Sequence, residues 1–155
     1  MKIGDTTASY IQYLLDIVTS HGTPKEELIA TLGLNPKELE DGDNRVDLAY
    51  LMRLGYHAIK ITKEPAVGLI AGKTSSITRF GLPGLGAMTS PNLGEALQVI
   101  IHYEAIYGRC YRGASRISTT NNIPHVEFYS IAPYNDYTYF VVDAVLSGWS
   151  NAIEW

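Results

Sequence analysis

Hydrophobic positions in this chain fall mostly at the three- and four-residue spacing of helices, broken by short polar turns. Ile11, Leu14, Leu15 and Val18 predict a first helix over residues 7–21, with Gly22 as a left-handed terminator. Thr23-Pro24-Lys25-Glu26 has the form of a capping box with proline at the first helical position. The short helix behind it carries Leu28, Ile29 and Leu32 and ends at Gly33. Asn35-Pro36-Lys37-Glu38 repeats the same grammar at once. After the turn cluster Asp41-Gly42-Asp43-Asn44, Asp47 is placed to cap a third helix with Leu48, Leu51, Met52, Gly55 and Ile59 on one face. Glu64-Pro65 opens another short helix that stops near Gly72.

The stretch from Gly81 to Gly108 is the most informative. It reads as a short helix of small residues, a tight Thr89-Ser90-Pro91 turn, and then the longest well-capped amphipathic helix of the chain. Asn92 can cap that helix, with Glu95 three residues on to bond back to the Asn92 amide. Pro91 pushes the residue before it out of the helical region and so blocks a continuous helix. Leu93, Ala96, Leu97, Ile100, Ile101 and Glu104 share one side, and Tyr103 and Tyr107 form a neighbouring stripe. Gly81 and Gly84, three apart, let the preceding helix approach a neighbour closely. Past Tyr107 the texture changes. Arg109–Ser118 and His125–Ile131 are rich in β-branched and aromatic residues around Asn121-Asn122-Ile123-Pro124, which predicts an antiparallel hairpin with a slightly long loop. From Tyr137 a mostly apolar run, with Phe140, Ala144, Val145, Gly148 and Trp149 on one side, predicts a final buried helix. The fold class expected is α+β: a helical amino-terminal half, then a long helix packed on a small hairpin, with helices outnumbering strands.

Composition narrows the function classes. With 155 residues, 46% hydrophobic and 18% charged, the chain is long enough for one domain with a real core. The net charge is −4, and the 12 Lys and Arg are scattered, so nothing here is built to neutralise a phosphate backbone. The single cysteine, Cys110, excludes an internal disulfide and a thiolate metal site, and fits a reducing compartment. There is no apolar signal core and no run approaching the ~20 residues that cross a bilayer, so a cytoplasmic location is expected.

Several stretches resemble, in matching order, the amino-terminal domain of one branch of AraC-type transcription regulators. This is the helical, arabinose-binding type and not the cupin-barrel branch. Gly81-Leu82-Pro83-Gly84 is followed four residues later by Thr89-Ser90-Pro91-Asn92-Leu93-Gly94-Glu95-Ala96-Leu97. Asn44-Arg45-Val46-Asp47-Leu48 and Pro65-Ala66-Val67-Gly68-Leu69 match two earlier steps of the pattern, and the likeness spans roughly residues 8 to 150. Gly94 departs from it, standing where a longer polar residue is usual, and points to a close contact in the first turn of that helix. The resemblance implies an effector-binding and dimerising domain that controls an attached pair of helix-turn-helix units. Residues 1–155 are therefore expected to be a single regulatory domain, truncated at the carboxy-terminal end, with the DNA reader absent. Whether that reflects a fragment or a natural short chain stays open.

Chemical constellations are sparse. His21, His57, His102 and His125 lie on four predicted elements with no metal-ligand spacing. Gly81, Gly84 and Gly86 run in the reverse order of a dinucleotide fingerprint and lack a preceding strand. Neither Ser75-Ser76 nor Thr89-Ser90 sits in a nucleophile elbow. No cofactor, metal or catalytic group is expected. The one excess is eleven tyrosines, whose apolar bodies and polar tips suit a small-molecule pocket or a protein interface equally. They place a candidate pocket between the long helix and the hairpin. Its expected ligand-binding residues are Arg79, Tyr103, Tyr107, Arg109, Tyr111 and Tyr129, with Arg79, Arg109 and Arg112 as anchors for an anionic group. The expected partners are a small effector of unspecified class, a second copy of the chain, and DNA only through the absent domain. A dimerisation module without a ligand is the alternative, and an enzyme the third choice.

Overall fold

The first element is one that the hydrophobic pattern does not announce: the polar stretch Gly4–Thr7 forms strand β1, directly ahead of helix α1 (Ala8–Thr19). In this computed structural model, which describes residues 3–111, 113–130 and 133–154, β1 pairs on both edges. Strand β2 (Arg45–Asp47) sets Val46 opposite Thr6, and strand β3 (Gly108–Cys110) sets Arg109 opposite Asp5. The result is a three-stranded antiparallel sheet in the order β2-β1-β3. It ties the start of the chain to segments about 40 and 100 residues away.

Between these strands the helices follow the predicted order. Helix α2 (Lys25–Leu32) closes on Gly33 in the left-handed region, φ 67°. Pro24 stands at its N-cap and Thr23 makes no cap, because the proline occupies the capping position itself. Asn35 does cap, accepting from the Lys37 amide, but the turn behind it is a 3-10 turn, Pro36–Leu39, and not a second α-helix. Helix α3 (Leu48–Thr62) begins on Asp47, whose carboxylate accepts from the Ala49 amide at 2.9 Å. Helix α4 (Val67–Lys73), a 3-10 turn (Ile77–Phe80) and helix α5 (Leu82–Met88) lead to helix α6 (Leu93–His102).

Asn92 caps α6 through the Glu95 amide at 3.0 Å, while the Glu95 carboxylate accepts from the Asn92 side-chain amide, not from its backbone. A Cβ on Gly94 would press to 3.3 Å from the capping oxygen of Asn92, so the short residue serves the cap. The helix is shorter than its pattern suggested. Tyr103 leaves helical geometry (ψ 16°), and a single further turn, α7 (Glu104–Tyr107), resumes at a new angle. That break sets Glu104 to accept from the Ser115 amide at 2.8 Å, a bond that ties α7 to the start of the hairpin.

The strand content is also redistributed. Arg109 and Cys110 lie in β3 of the first sheet, and the hairpin proper is β4 (Arg116–Thr120) with β5 (Ile123–Glu127). Its turn is only Asn121-Asn122, both at positive φ (53° and 61°), as a two-residue I′ turn requires. Pro124 falls inside β5, where a two-stranded ribbon leaves an edge that needs no donor. Ile131, at the end of the predicted second strand, and Trp155 lie outside the described residues. Helix α8 (Tyr139–Ile153) ends the described chain and buries Phe140, Val141, Ala144, Gly148 and Trp149.

The architecture is α+β, with helices outweighing two small antiparallel sheets. One core, built from α1, α3, α4 and α8, contains Ile11, Leu15, Leu54, Val67 and Phe140 among its most enclosed side chains. α4 and α8 meet at backbone distance: a Cβ on Gly72 would lie 2.4 Å from the Ala144 carbonyl oxygen. A second, much smaller cluster of Ile77, Ala87 and Ile100 holds α5 and α6 to the turn before them. Gly84 serves that contact, since its Cβ would strike the Ile77 carbonyl, whereas Gly81 is a turn residue at φ 64°.

Candidate functional site

A cavity of about 130 Å³ lies between the main core and the carboxy-terminal strands. Tyr10, Tyr13 and Leu14 of α1, Ala71 and Gly72 of α4, and Val145 and Trp149 of α8 form one wall. The other is made by Glu104 and Tyr107 of α7, by Arg109 and Cys110 of β3, and by Phe128 and Tyr129 just past β5. Arg79 and Phe80, on the 3-10 turn, complete the lining.

Local sequence explains how each group is held. Ser76 caps the 3-10 turn by accepting from the Thr78 amide, which fixes the short arc carrying Arg79. The Arg79 guanidinium carbon sits 3.3 Å over the Tyr13 ring, an attractive placement against the negative ring face. It has no carboxylate partner among the described residues. The Tyr13 hydroxyl donates to the Ala71 carbonyl at 2.5 Å, so the ring under the guanidinium is itself anchored to α4. Phe80 packs on Tyr107 at 5.1 Å between centroids, and Phe128 meets Trp149 edge to face at 5.9 Å. Gly113 lets Tyr129 lie on the chain, because a Cβ there would fall 2.4 Å from the ring.

Burial is the first cause of the titration behaviour here. It pushes the Tyr10 phenol up to about 12, with a smaller push from Tyr13 and an opposing pull from the Arg79 charge. The Tyr107 phenol is raised well above its ordinary value by burial, then by the Glu104 carboxylate and by Tyr10. Both are neutral hydrogen-bonding groups at physiological pH. Tyr107 donates to the Ile100 carbonyl at 3.3 Å. The Tyr10 hydroxyl makes no hydrogen bond among the described residues and is left open to the cavity. Glu104 uses one oxygen on the Ser115 amide and keeps the other lone pairs free.

Of the residues expected from sequence, Arg79, Tyr107, Arg109 and Tyr129 line this cavity. Tyr111 points away: it is exposed, and its hydroxyl donates to Asp5 at 2.7 Å. Tyr103 is exposed at the break after α6 and borders a separate open depression between α6 and β4, with Glu95, Gln98 and Arg116. Arg112 lies outside the described residues. The cavity is therefore displaced from the expected seam between the long helix and the hairpin. The displacement follows from the break at Tyr103, which turns Glu104 and Tyr107 toward α1 and α8. Tyr10 and Tyr13 were missed. Their only local signal is two aromatics three apart beside the apolar stripe of α1, and it is the tertiary fold that brings them to the cavity. No group of three or more His, Cys, Asp or Glu among the described residues is gathered to hold a metal ion. No helix among them is long and apolar enough to cross a membrane.

Comparison with known proteins gives this geometry a setting. Residues 22–155 match the family described as the arabinose-binding domain of AraC transcription regulator, N-terminal. The ornithine utilization regulator of Pseudomonas aeruginosa is 29% identical over 103 residues, covering 66% of this chain and 30% of the regulator. Two uncharacterized helix-turn-helix-type transcriptional regulators, from Mycobacterium bovis and Mycobacterium tuberculosis, are each 25% identical over 97 residues. Those alignments cover 60% of this chain and 27% of each relative, so the chain spans less than a third of the length of the curated relatives it matches.

Proposed function

The chain belongs to the family of N-terminal, arabinose-binding-type domains of AraC transcription regulators, and from that premise we propose that it is a single regulatory unit whose effector binds in the cavity between α1, α8 and α7. The family is one of regulator domains and not an enzyme class, and the reading assigns no catalytic role. The observation that carries it is the partly open, aromatic-lined cavity with a guanidinium, Arg79, stacked in place and without a carboxylate partner among the described residues. The Arg79 guanidinium, exposed yet held over the Tyr13 ring, is available to an anionic group. Ligand closure there would bring the two walls together and shift the population of an attached helix-turn-helix domain.

The test is thermal unfolding of the purified chain against a metabolite library, in parallel with Val145→Trp, which fills the cavity from α8. A true effector at ~100 times its Kd should raise the Tm by roughly 5–10 °C. The shift should vanish in the filled variant while its fold, by circular dichroism, persists. A ligand that shifts both proteins equally binds elsewhere and removes the assignment.

Self-association is a second reading with its own support. Helix α5 presents Leu82, Leu85 and Met88, 74%, 52% and 54% exposed, along one side. An apolar stripe of this kind marks an interaction surface. Light scattering on Leu85→Glu should then give a monomer where the unaltered chain gives a dimer; a monomeric unaltered chain would end this reading.

A further inference from the structure

The cavity carries both signs of charge at separate places, and that narrows what can occupy it. We infer that its ligand is a small zwitterion, with the carboxylate held by Arg79 and the ammonium by Glu104. The inference rests on the effector-binding reading and goes further by naming the ligand class.

Size sets the first limit. A volume of about 130 Å³ is close to that of a dry cavity of ~150 Å³ that takes benzene, so the part of the ligand held inside has on the order of six to ten non-hydrogen atoms. Charge sets the second. Arg79 is stacked on Tyr13 with its N–H edge unclaimed among the described residues, which suits a bidentate carboxylate. Arg109 also lines the cavity, but its charge leans on Asp5, across the sheet. Glu104 is fixed through one carboxylate oxygen by the Ser115 amide and retains acceptor capacity beside Tyr107. A simple anion would meet the like charge of the half-buried Glu104, and a simple cation the exposed guanidinium groups of Arg79 and Arg109. A neutral polyol fares no better. Leu14, Phe80, Val141, Val145, Phe128 and Trp149 present apolar surface, and a hydroxyl set against them without a partner is desolvated at a cost. The free hydroxyl of Tyr10 supplies one additional neutral hydrogen bond.

Isothermal titration with matched five-carbon probes tests the assignment: 5-aminovalerate and L-norvaline as zwitterions, valerate and pentylamine as their half-charged counterparts, and L-arabinose as a neutral polyol. At least one zwitterion should bind ten-fold or more tightly than valerate, pentylamine or arabinose. Arg79→Gln should then weaken valerate and the zwitterion while leaving pentylamine unchanged, and Glu104→Gln should do the converse. Glu104→Gln keeps an acceptor for the Ser115 amide, so the fold is retained. A residue with only a structural role would not split the probes by charge. If valerate, pentylamine or arabinose binds as tightly as the zwitterions, the ligand class is overturned while the effector cavity stands. If none of the probes binds, the zwitterion assignment falls; if, in addition, the library screen shows no shift that Val145→Trp abolishes, the effector reading falls with it.

Discussion

The wall of the cavity made by α1, α4 and α8 and the wall made by α7, β3 and the base of the hairpin are held in different ways. The first wall is the inner surface of the main core. Behind Tyr10 and Val145 stand Ile11, Leu14, Leu15, Leu54, Val67 and Phe140, each at 1% exposure or less. Its helices touch through backbone at Gly72, where no side chain can rearrange. The second wall has no such backing. Helix α7 buries none of its residues, and β4 and β5 each have one half-buried position in five. A two-stranded ribbon with so little buried surface is marginal on its own and leans on neighbouring contacts. Ligand sites are commonly drawn from such low-stability parts. The pairing of a rigid wall with a compliant one would suit the proposed effector site: one wall would fix it and the other would register occupancy.

The largest effect expected from breaking this contrast is in the rigid wall. Leu54→Ala removes a fully buried side chain at the centre of the main core, and the cavity it leaves should cost about 2–5 kcal/mol in urea unfolding. Ile117→Ala on β4, where the side chain is half-buried, should cost under about 1 kcal/mol. Equal losses would mean that the two walls are one cooperative body, and the contrast would be wrong. Next in size is Gly72→Ala. Its added methyl meets the Ala144 carbonyl, the Gly148 amide and the Ser147 side chain within 2.6 Å. Prising α4 from α8 should cost about 1–3 kcal/mol, measured by the same unfolding, with no compensating gain in the hairpin.

Much of the rigid wall was legible in the sequence, and little of the compliant one. Helices α1, α3 and α8 were visible because their apolar residues repeat locally, and Asp47 announces the cap of α3 in adjacent residues, as Asn92 does for α6. Strand β1 was not, because Gly-Asp-Thr-Thr has no apolar alternation and its partners Val46 and Arg109 are far along the chain. The break at Tyr103 was hidden for a related reason. Helical periodicity runs on through Glu104 and Tyr107, and the contacts that accompany the break, the Ser115 amide on Glu104 and Tyr107 on Phe80, are not announced by adjacent residues. Once the helix bends, the tyrosine-rich stripe divides, and only part of it reaches the cavity. Thus Arg79, Tyr107, Arg109 and Tyr129 were identified from composition and neighbourhood, while Tyr10, Tyr13 and Glu104 needed the tertiary fold to be seen as one lining.

The seam between the walls offers the third test. Asp5 on β1 receives the Arg45 guanidinium from β2 and the Tyr111 hydroxyl from just past β3, and Arg45 also donates to the Ile106 carbonyl at 2.8 Å. Burial alone would raise the Asp5 carboxyl; the Tyr111 hydrogen bond, the Arg45 hydrogen bond and charge, and the Arg109 charge outweigh it and hold the group below its ordinary 3.8. A carboxylate with a depressed folded-state pKa contributes stability that is complete above the unfolded value and is lost as pH falls through the folded one. Asp5→Asn should therefore cost about 1–2 kcal/mol at pH 7. The gap from the unaltered chain should close as the pH is lowered below about 4. A gap that persists unchanged to pH 2 would show that the seam is held by packing and not by this charge.

The smallest expected effect is the most discriminating. Asn92 caps α6 with one side-chain bond to Glu95 and lies on the surface, remote from the main core. Asn92→Ala should cost only about 1 kcal/mol. Where that loss is felt decides the matter. If the α5–α6 segment and the hairpin open as a unit of their own, backbone hydrogen exchange in α6, β4 and β5 should quicken in the variant, about five-fold for each kilocalorie lost. Exchange in α1 and α3, which report only global unfolding, should scarcely change. A uniform quickening across both regions would mean that α6 opens only when the whole molecule does. The compliant wall would then be as cooperative as the rigid one, and ligand closure could not act by ordering it alone. A change confined to α6 and the hairpin would identify the segment whose ordering a bound effector adds to, because Glu104 and Tyr107 follow α6 directly and the Ser115 amide ties them to β4.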